Sequence, residues 1–210
     1  MGLTAEQIRD GLDHVGRTSA PLAHAIVRVG YPEPRIRSRG WHTLLRTIVG
    51  QQVSVAAAAS VWARLEALLG RGAEGRGMEP GDLLAASFDD LRACGLSRQK
   101  QGYARSLCEL VAARAIDFDD LPGDDEAAIE LLTRIKGIGR WSAEIYLLFA
   151  EGRPDIWPAG DLAVQAGLAK LLVLDARPDE RTTRALAEDW RPHRGAVAIF
   201  TWHCYNNPAL

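Results

Sequence analysis

Apolar positions recur at three- and four-residue intervals almost from end to end of this chain, and the spacing predicts one helix after another. Thr4-Ala5-Glu6-Gln7 is a capping-box sequence opening a first helix to about Val15. Ser19 with Pro21 opens a second, which stops at Gly30. Tyr31-Pro32-Glu33-Pro34 reads as loop, because each proline forces its predecessor out of helix. Helices are predicted over Trp41 to Val49 and Val55 to Leu69, parted at Gln51-Gln52. Gly70 to Gly81 is rich in glycine and poor in large apolar residues, and reads as mobile. Further helices follow near Pro80 to Ala86, Asp89 to Cys94, Arg98 to Ala115, Asp124 to Ile135, Arg140 to Ala150, Asp161 to Leu172, Asp179 to Trp190 and Arg194 to Tyr205. No alternating run of β-branched residues is long enough to predict a sheet; the short candidates, Ala25 to Val29 and Leu172 to Leu174, fit helix equally well. The expectation is an all-α protein, a two-lobed helical bundle whose chain ends join one lobe and whose middle forms the other.

Two places interrupt this periodicity with chemistry. Leu131 to Ile145 reads as two amphipathic helices closed by Gly137-Ile138-Gly139, a turn whose glycines would let an anion reach backbone N–H groups without a Cβ in the way. A dinucleotide fingerprint would need a strand ahead and a third glycine at position 142. That position is Ser142, and Ala128, Leu131, Leu132 and Ile135 have helical spacing. An ordinary helix–helix turn accounts for the same glycines without any ligand. The second place is Trp157-Pro158-Ala159-Gly160-Asp161, which sets a carboxylate at a helix N-terminus. Capping is the everyday role of aspartate there, and the positive end of the helix favours a negative charge.

Taken over a longer stretch, Leu132-Thr133-Arg134-Ile135-Lys136-Gly137-Ile138-Gly139-Arg140-Trp141-Ser142-Ala143 followed by Pro158-Ala159-Gly160-Asp161-Leu162 resembles the helix-hairpin-helix DNA glycosylase superfamily, particularly its 3-methyladenine DNA glycosylase II branch. Ile48-Val49-Gly50-Gln51-Gln52-Val53-Ser54-Val55 is similar to the family's Gln-Gln segment, Leu96-Ser97-Arg98-Gln99-Lys100-Gln101-Gly102-Tyr103 to its Leu-Ser-X-X-Lys-X-X-Tyr segment, and Trp190-Arg191-Pro192-His193-Arg194 with Trp202 to its closing helix. The likeness spans roughly residues 30 to 207, with the hairpin at about 131 to 145. It implies N-terminal helices over 1–30 packed on a glycosylase core of 31–210 with a cleft between its lobes. The N-terminal β domain of some members is not expected.

The resemblance also implies roles. Asp161 aligns with the superfamily's catalytic aspartate, which faces the positive charge that develops on the sugar as the base departs. Members that also cut the strand carry a nucleophilic lysine where this chain has Trp141, and neighbouring Arg140 stays protonated, so a monofunctional enzyme using water is expected. Trp141 and Trp202 match base-pocket aromatics, and Trp157 lies just ahead of Asp161. Indole faces would hold a cationic alkylated purine such as 3-methyladenine or 7-methylguanine by stacking and cation–π attraction. A further pocket aromatic of some relatives is Ile145 here, which leaves the substrate range open. Trp41, Trp62 and Trp190 read as core. Gly137 and Gly139, with Lys136, Arg140 and Arg134 around them, are the expected DNA grip, and Gln51 with Gln52 the segment that fills the gap left by a flipped base. Thr133, Ile135 and Ile138 are implied to offer main-chain oxygens to one Na or K ion.

Composition alters this picture little. The net charge of −2 and pI near 6.2 do not suit a protein that coats DNA, so contacts to phosphate must come from a local basic face. Cys94, Cys108 and Cys204 are too few for the four-cysteine iron–sulfur cluster of the endonuclease III branch, and their spacing suggests no disulfide framework. His14, His24, His42, His193 and His203 show no zinc spacing. No apolar run is long enough to span a membrane, and Met1 to Arg17 lacks a secretory layout. The expected partner is damaged double-stranded DNA, bound by a monomer in the cytoplasm of a bacterial-type cell or in a eukaryotic nucleus. Excision of deaminated bases such as hypoxanthine or uracil, and a non-catalytic DNA-binding module, are the alternatives.

Overall fold

The computed structural model describes residues 2–70 and 77–209. Among them the helices are α1 (Ala5–Gly16), α2 (Ala20–Val29), α3 (Trp41–Gly50), α4 (Val55–Leu69), α5 (Pro80–Ala85), α6 (Phe88–Ala93), α7 (Arg98–Ala112), α8 (Asp125–Thr133), α9 (Arg140–Tyr146), α10 (Leu162–Leu172), α11 (Glu180–Leu186) and α12 (Arg194–Asn206), and there is no strand. Capping explains many of the starts. Thr4, Ser54, Ser97, Asp124, Asp161 and Asp179 each accept a backbone N–H of the first turn, an interaction worth about 1 kcal/mol. At Thr4 the capping box is complete, with Gln7 returning a bond to the Thr4 N–H.

Where the helices depart from expectation, a tertiary contact decides. Helix α7 ends at Ala112 rather than Ala115, because the chain turns through Arg114 (φ 52) to bury Ile116. Beyond Tyr146 the expected straight helix widens into a π-turn over Leu147–Glu151, where Arg37 N–H donates to the Phe149 carbonyl. The helix expected over Asp179 to Trp190 breaks at Ala187 into a 3₁₀ turn over Glu188–Trp190, which buries Trp190. Of the glycine-rich segment expected to be mobile, residues 71–76 lie outside the described residues. Its end is anchored: Met78 is buried and its carbonyl bonds to His42 Nε2.

The chain divides into two compact units, Met1–Ser38 with Glu144–Leu210, and Arg39–Ala143. In the first, α12 is apolar nearly all round and buried along almost its whole length, the mark of a central helix. Helices α1 and α10 pack on it through small residues: Gly11 faces Ala196, and Gly167 lies against the backbone of Thr201. Lys170 Nζ caps the end of α12, donating to the carbonyls of Cys204, Tyr205 and Asn207. In the second unit the core is built from Leu44, Leu45 and Ile48 of α3, Leu65 of α4, Leu107 of α7 and Leu132 of α8.

Candidate active site

Asp161 reaches its position on a short strap that the first unit fastens at both ends. Turn bonds run from Ala159 N to the Trp157 carbonyl (2.8 Å) and from Asp161 N to the Pro158 carbonyl (2.9 Å). Gln165, buried one turn into α10, reaches back to the Ala159 carbonyl at 2.9 Å. At the other end, Asp155 takes a bidentate bond from buried Arg194 (2.8 and 2.9 Å) and a third from Arg191 (2.6 Å). Both arginines also donate to Glu188, and the Arg191 hydrogen bond holds the Glu188 carboxyl below its usual range. Gly195 N–H adds a bond to the Pro154 carbonyl. The strap is thus tied to the start of α12.

That same helix supplies a partner for the carboxylate. Asp161 caps α10, its Oδ1 accepting from Ala163 N and Val164 N at 2.9 Å each, and Trp202 Nε1 donates to the same oxygen at 3.1 Å. Two main-chain donors and an indole therefore fix the rotation of the side chain. Capping does not preclude a chemical role here, because the cap itself holds the carboxylate in a fixed orientation.

The three expected pocket tryptophans separate. Trp202 is buried against Phe149, with its N–H committed to Asp161. Trp157 corrects the expectation: it is 3% exposed, its N–H donates to the Thr183 carbonyl, and it meets Trp190 edge-on, so it is core rather than a face for a base. Trp141, in the second unit, is 48% exposed. Ile145 is buried, as are Trp41, Trp62 and Trp190.

The hairpin residues gather in the second unit, and its two glycines serve different needs. Gly137 has φ 82, and a Cβ there would fall 2.2 Å from the Tyr103 ring, so both backbone and packing demand glycine. At Gly139 an added Cβ meets nothing within 4 Å, leaving an exposed stretch of backbone that an anion can approach. Arg134 and Lys136 are exposed, and the Arg140 guanidinium forms a bidentate surface pair with Glu126 (2.8 and 2.5 Å). The Gln-Gln pair splits as well. Gln51 Nε2 donates to the Gly137 carbonyl at 2.8 Å, while Gln52 is exposed with φ 54. Val53 and Val55 beside it are 44% and 89% exposed, an apolar tip that sequence reasoning missed. The order Gln52-Val53-Ser54-Val55, two apolar residues flanking the serine cap of α4, was the available signal. Sequence reasoning also missed the pairing of Asp155 with Arg194, 39 positions apart, for which no local signal exists.

Other groups offer little chemistry. Burial pushes the Cys108 and Cys204 thiols up to about 12, which leaves them without thiolate character. Among the described residues no group of three or more His, Cys, Asp or Glu is placed to hold a metal ion, and no helix is long and apolar enough to cross a membrane. His203 Nε2 bonds to the Val29 carbonyl, and burial lowers the His193 imidazole from its usual range beside His14.

Residues 45–192 match the model of the HhH-GPD superfamily of base excision DNA repair proteins. The chain belongs to this superfamily. Among HhH-GPD proteins it is 30% identical over 164 residues to DNA-3-methyladenine glycosylase 1 of Schizosaccharomyces pombe, covering 77% of the chain and 71% of that protein. It superimposes on the crystal structure of a DNA-3-methyladenine glycosidase from Bacillus halodurans with a TM-score of 0.75 and 30% identity, over 83% of this chain and 79% of the other. Against a 3-methyladenine DNA glycosylase of S. pombe in complex with abasic DNA the HhH-GPD fold gives a TM-score of 0.76 at 28% identity, covering 92% and 95% of the two chains.

Proposed function

We propose that this chain is a monofunctional DNA glycosylase that hydrolyses the N-glycosidic bond of alkylated purines, of the 3-methyladenine and 7-methylguanine type, in double-stranded DNA. The observation that carries the reading is the oriented Asp161 carboxylate, held by the α10 cap and by Trp202, in a chain whose relatives bear 3-methyladenine glycosylase names. The structural relative bound to abasic DNA holds the product such a reaction leaves.

The chemistry follows from charge. An N-alkylated purine on its sugar is cationic and already a good leaving group, so the protein's task is to favour the departing transition state rather than to protonate the base. As the C–N bond breaks, its electron pair goes to the base and positive charge develops on the sugar. A fixed carboxylate beside that sugar stabilises the charge, orients the attacking water and accepts its proton as the new C–O bond forms. Trp141 offers an exposed indole face for the flipped cationic base, an interaction worth about 0.5–2 kcal/mol. Gly137 and Gly139 with Arg134 and Lys136 serve as the phosphate grip, and Gln52 with Val53 at the loop tip fills the gap in the stack.

The hairpin also suits one Na or K ion. Thr133 closes α8, where carbonyls lack in-helix partners, and the Ile135 oxygen, though it accepts from Ile138 N, keeps a second lone pair. With the Ile138 carbonyl these would hold the cation, whose charge would partly neutralise a phosphate. The chain is expected to act as a monomer, in whichever compartment holds the DNA.

The test is chromatographic release of free base from methylated duplex DNA. Free 3-methyladenine or 7-methylguanine with unbroken abasic strands is expected. No release from methylated duplex, release only from hypoxanthine or uracil duplexes, or enzymatic nicking would each overturn the reading. A second expectation concerns Trp202→Phe, which keeps a ring but loses the donor to Asp161. Removing a hydrogen bond to a charged group costs about 1.5–3 kcal/mol, so the single-turnover rate should fall roughly 10- to 100-fold. Affinity for undamaged duplex should not change, and a rate within about twofold of wild type would deny Trp202 its orienting role.

A further inference from the structure

We propose that Gln51 is a positioning residue rather than a DNA contact: with Lys100, Tyr103 and Ser106 of α7 it locks the α3–α4 loop to the hairpin, so that the wedge and the phosphate grip engage DNA as one body. The inference rests on the reading of Gln52 as wedge and of the hairpin as grip.

The geometry is a lattice of contacts between segments far apart in sequence. Gln51 bridges 86 positions to the Gly137 carbonyl. Lys100, Tyr103 and Ser106 recur at three-residue intervals, which puts them along one face of α7. Lys100 Nζ donates to the Val49 carbonyl at 2.8 Å, one of the last carbonyls of α3 that the helix itself leaves unpaired. Tyr103 fills the space beside Gly137, its hydroxyl accepting from Gln99 Nε2 at 2.5 Å. Ser106 Oγ accepts from Lys136 N at 3.2 Å. One helix thus holds the end of α3, immediately before the wedge, together with the hairpin's first glycine and the residue ahead of it.

Two further features fit a device built for rigidity. Gln52 keeps a left-handed backbone (φ 54), which is unfavourable for a non-glycine residue and persists only where its flanks are over-determined. Those flanks are Gln51, bonded to Gly137, and Ser54, which caps α4 through Ala57 N. Burial also lowers the Lys100 ammonium from its usual range, unlike a solvated lysine free to seek phosphate. With one Nε2–H given to the Gly137 carbonyl at 2.8 Å, the Gln51 side chain lies along the hairpin instead of extending as an unrestrained arm.

The experiment uses the full chain and a duplex oligonucleotide with 2-aminopurine beside a tetrahydrofuran abasic analogue, whose fluorescence reports unstacking by the wedge. Gln51→Met keeps the length of the side chain and removes the donor. Lys100→Met does the same at the other anchor and is read identically should Gln51→Met melt early. The expected result is an unstacking signal and a single-turnover rate of base release both reduced about tenfold, the equivalent of one net hydrogen bond. Affinity for undamaged duplex and its salt slope should stay within about twofold of wild type, since no phosphate contact is lost. Overturning results are an unchanged unstacking signal in both variants, or a loss of duplex affinity as large as the loss of rate. Failure of the functional reading looks different: the wild type would release no base, while the 2-aminopurine signal of the variants would still report on the lock.

Discussion

Asp161→Asn is expected to slow base release at least ~10²-fold, the scale of losing one preorganised electrostatic group, while leaving duplex binding and thermal stability almost unchanged. The separation of effects follows from the geometry. Asparagine is as good an N-cap as aspartate, and its carbonyl oxygen can still accept from Ala163 N, Val164 N and Trp202 Nε1. What disappears is the negative charge, the second carboxylate oxygen becoming an NH2 donor. Asp161→Ala makes the contrast, since it removes the acceptor as well. It should cost about 1 kcal/mol of cap energy and leave the Trp202 N–H without this partner, so the melting temperature falls together with the rate. Single-turnover base release and thermal melting on the two variants decide the matter. A rate for Asp161→Asn within about threefold of wild type would remove the carboxylate from the mechanism.

How far this site was legible in the sequence depends on how local each signal is. The cap at Asp161 is local: a Pro-X-Gly-Asp sequence before an apolar-periodic segment announces a helix start, and the structure places α10 at Leu162. The Thr4–Gln7 box and the stop at Gly30 were readable for the same reason. The bond from Trp202 to Asp161 spans 41 positions and that from Gln51 to Gly137 spans 86, and nothing in the neighbourhood of either residue specifies such a partner. Residue type alone misassigned Trp157. A tryptophan four residues ahead of a candidate catalytic carboxylate looks like a pocket wall until Thr183 and Trp190 are seen to enclose it. Nor does an arginine opening a helix after Gly-X-Gly announce its pair with Glu126, 14 positions back. The two hairpin glycines make the same point, since the Tyr103 ring and the positive φ at Gly137 distinguish it from Gly139.

Gly167→Ala should be the most damaging conservative change in the first unit, although helix propensity alone predicts the opposite. In an open helix alanine is better than glycine by about 1 kcal/mol. At Gly167 the new Cβ would lie 2.0 Å from the Thr201 carbonyl oxygen and 2.7 Å from its carbon, backbone atoms of α12 that cannot rotate aside. Overpacking against backbone belongs at the upper end of the usual range, about 3 kcal/mol, so the net loss should be about 2 kcal/mol. For a chain of this size that lowers the melting temperature by roughly 4–8 °C. Gly102, exposed on α7 with nothing within 4 Å of an added Cβ, is the control: Gly102→Ala should hold or raise the melting temperature. The functional consequence reaches further than stability. Thr201 precedes Trp202, and Gly167 lies six residues beyond Asp161, so the close approach of α10 and α12 sets the 3.1 Å bond between indole and carboxylate. Forcing the helices apart should therefore cost base release more than the unfolded fraction accounts for, even well below the melting temperature. A Gly167→Ala protein that melts like wild type would show that α12 can yield at Thr201. One that melts early yet keeps the full rate when folded would show that the spacing of the two helices does not govern the carboxylate.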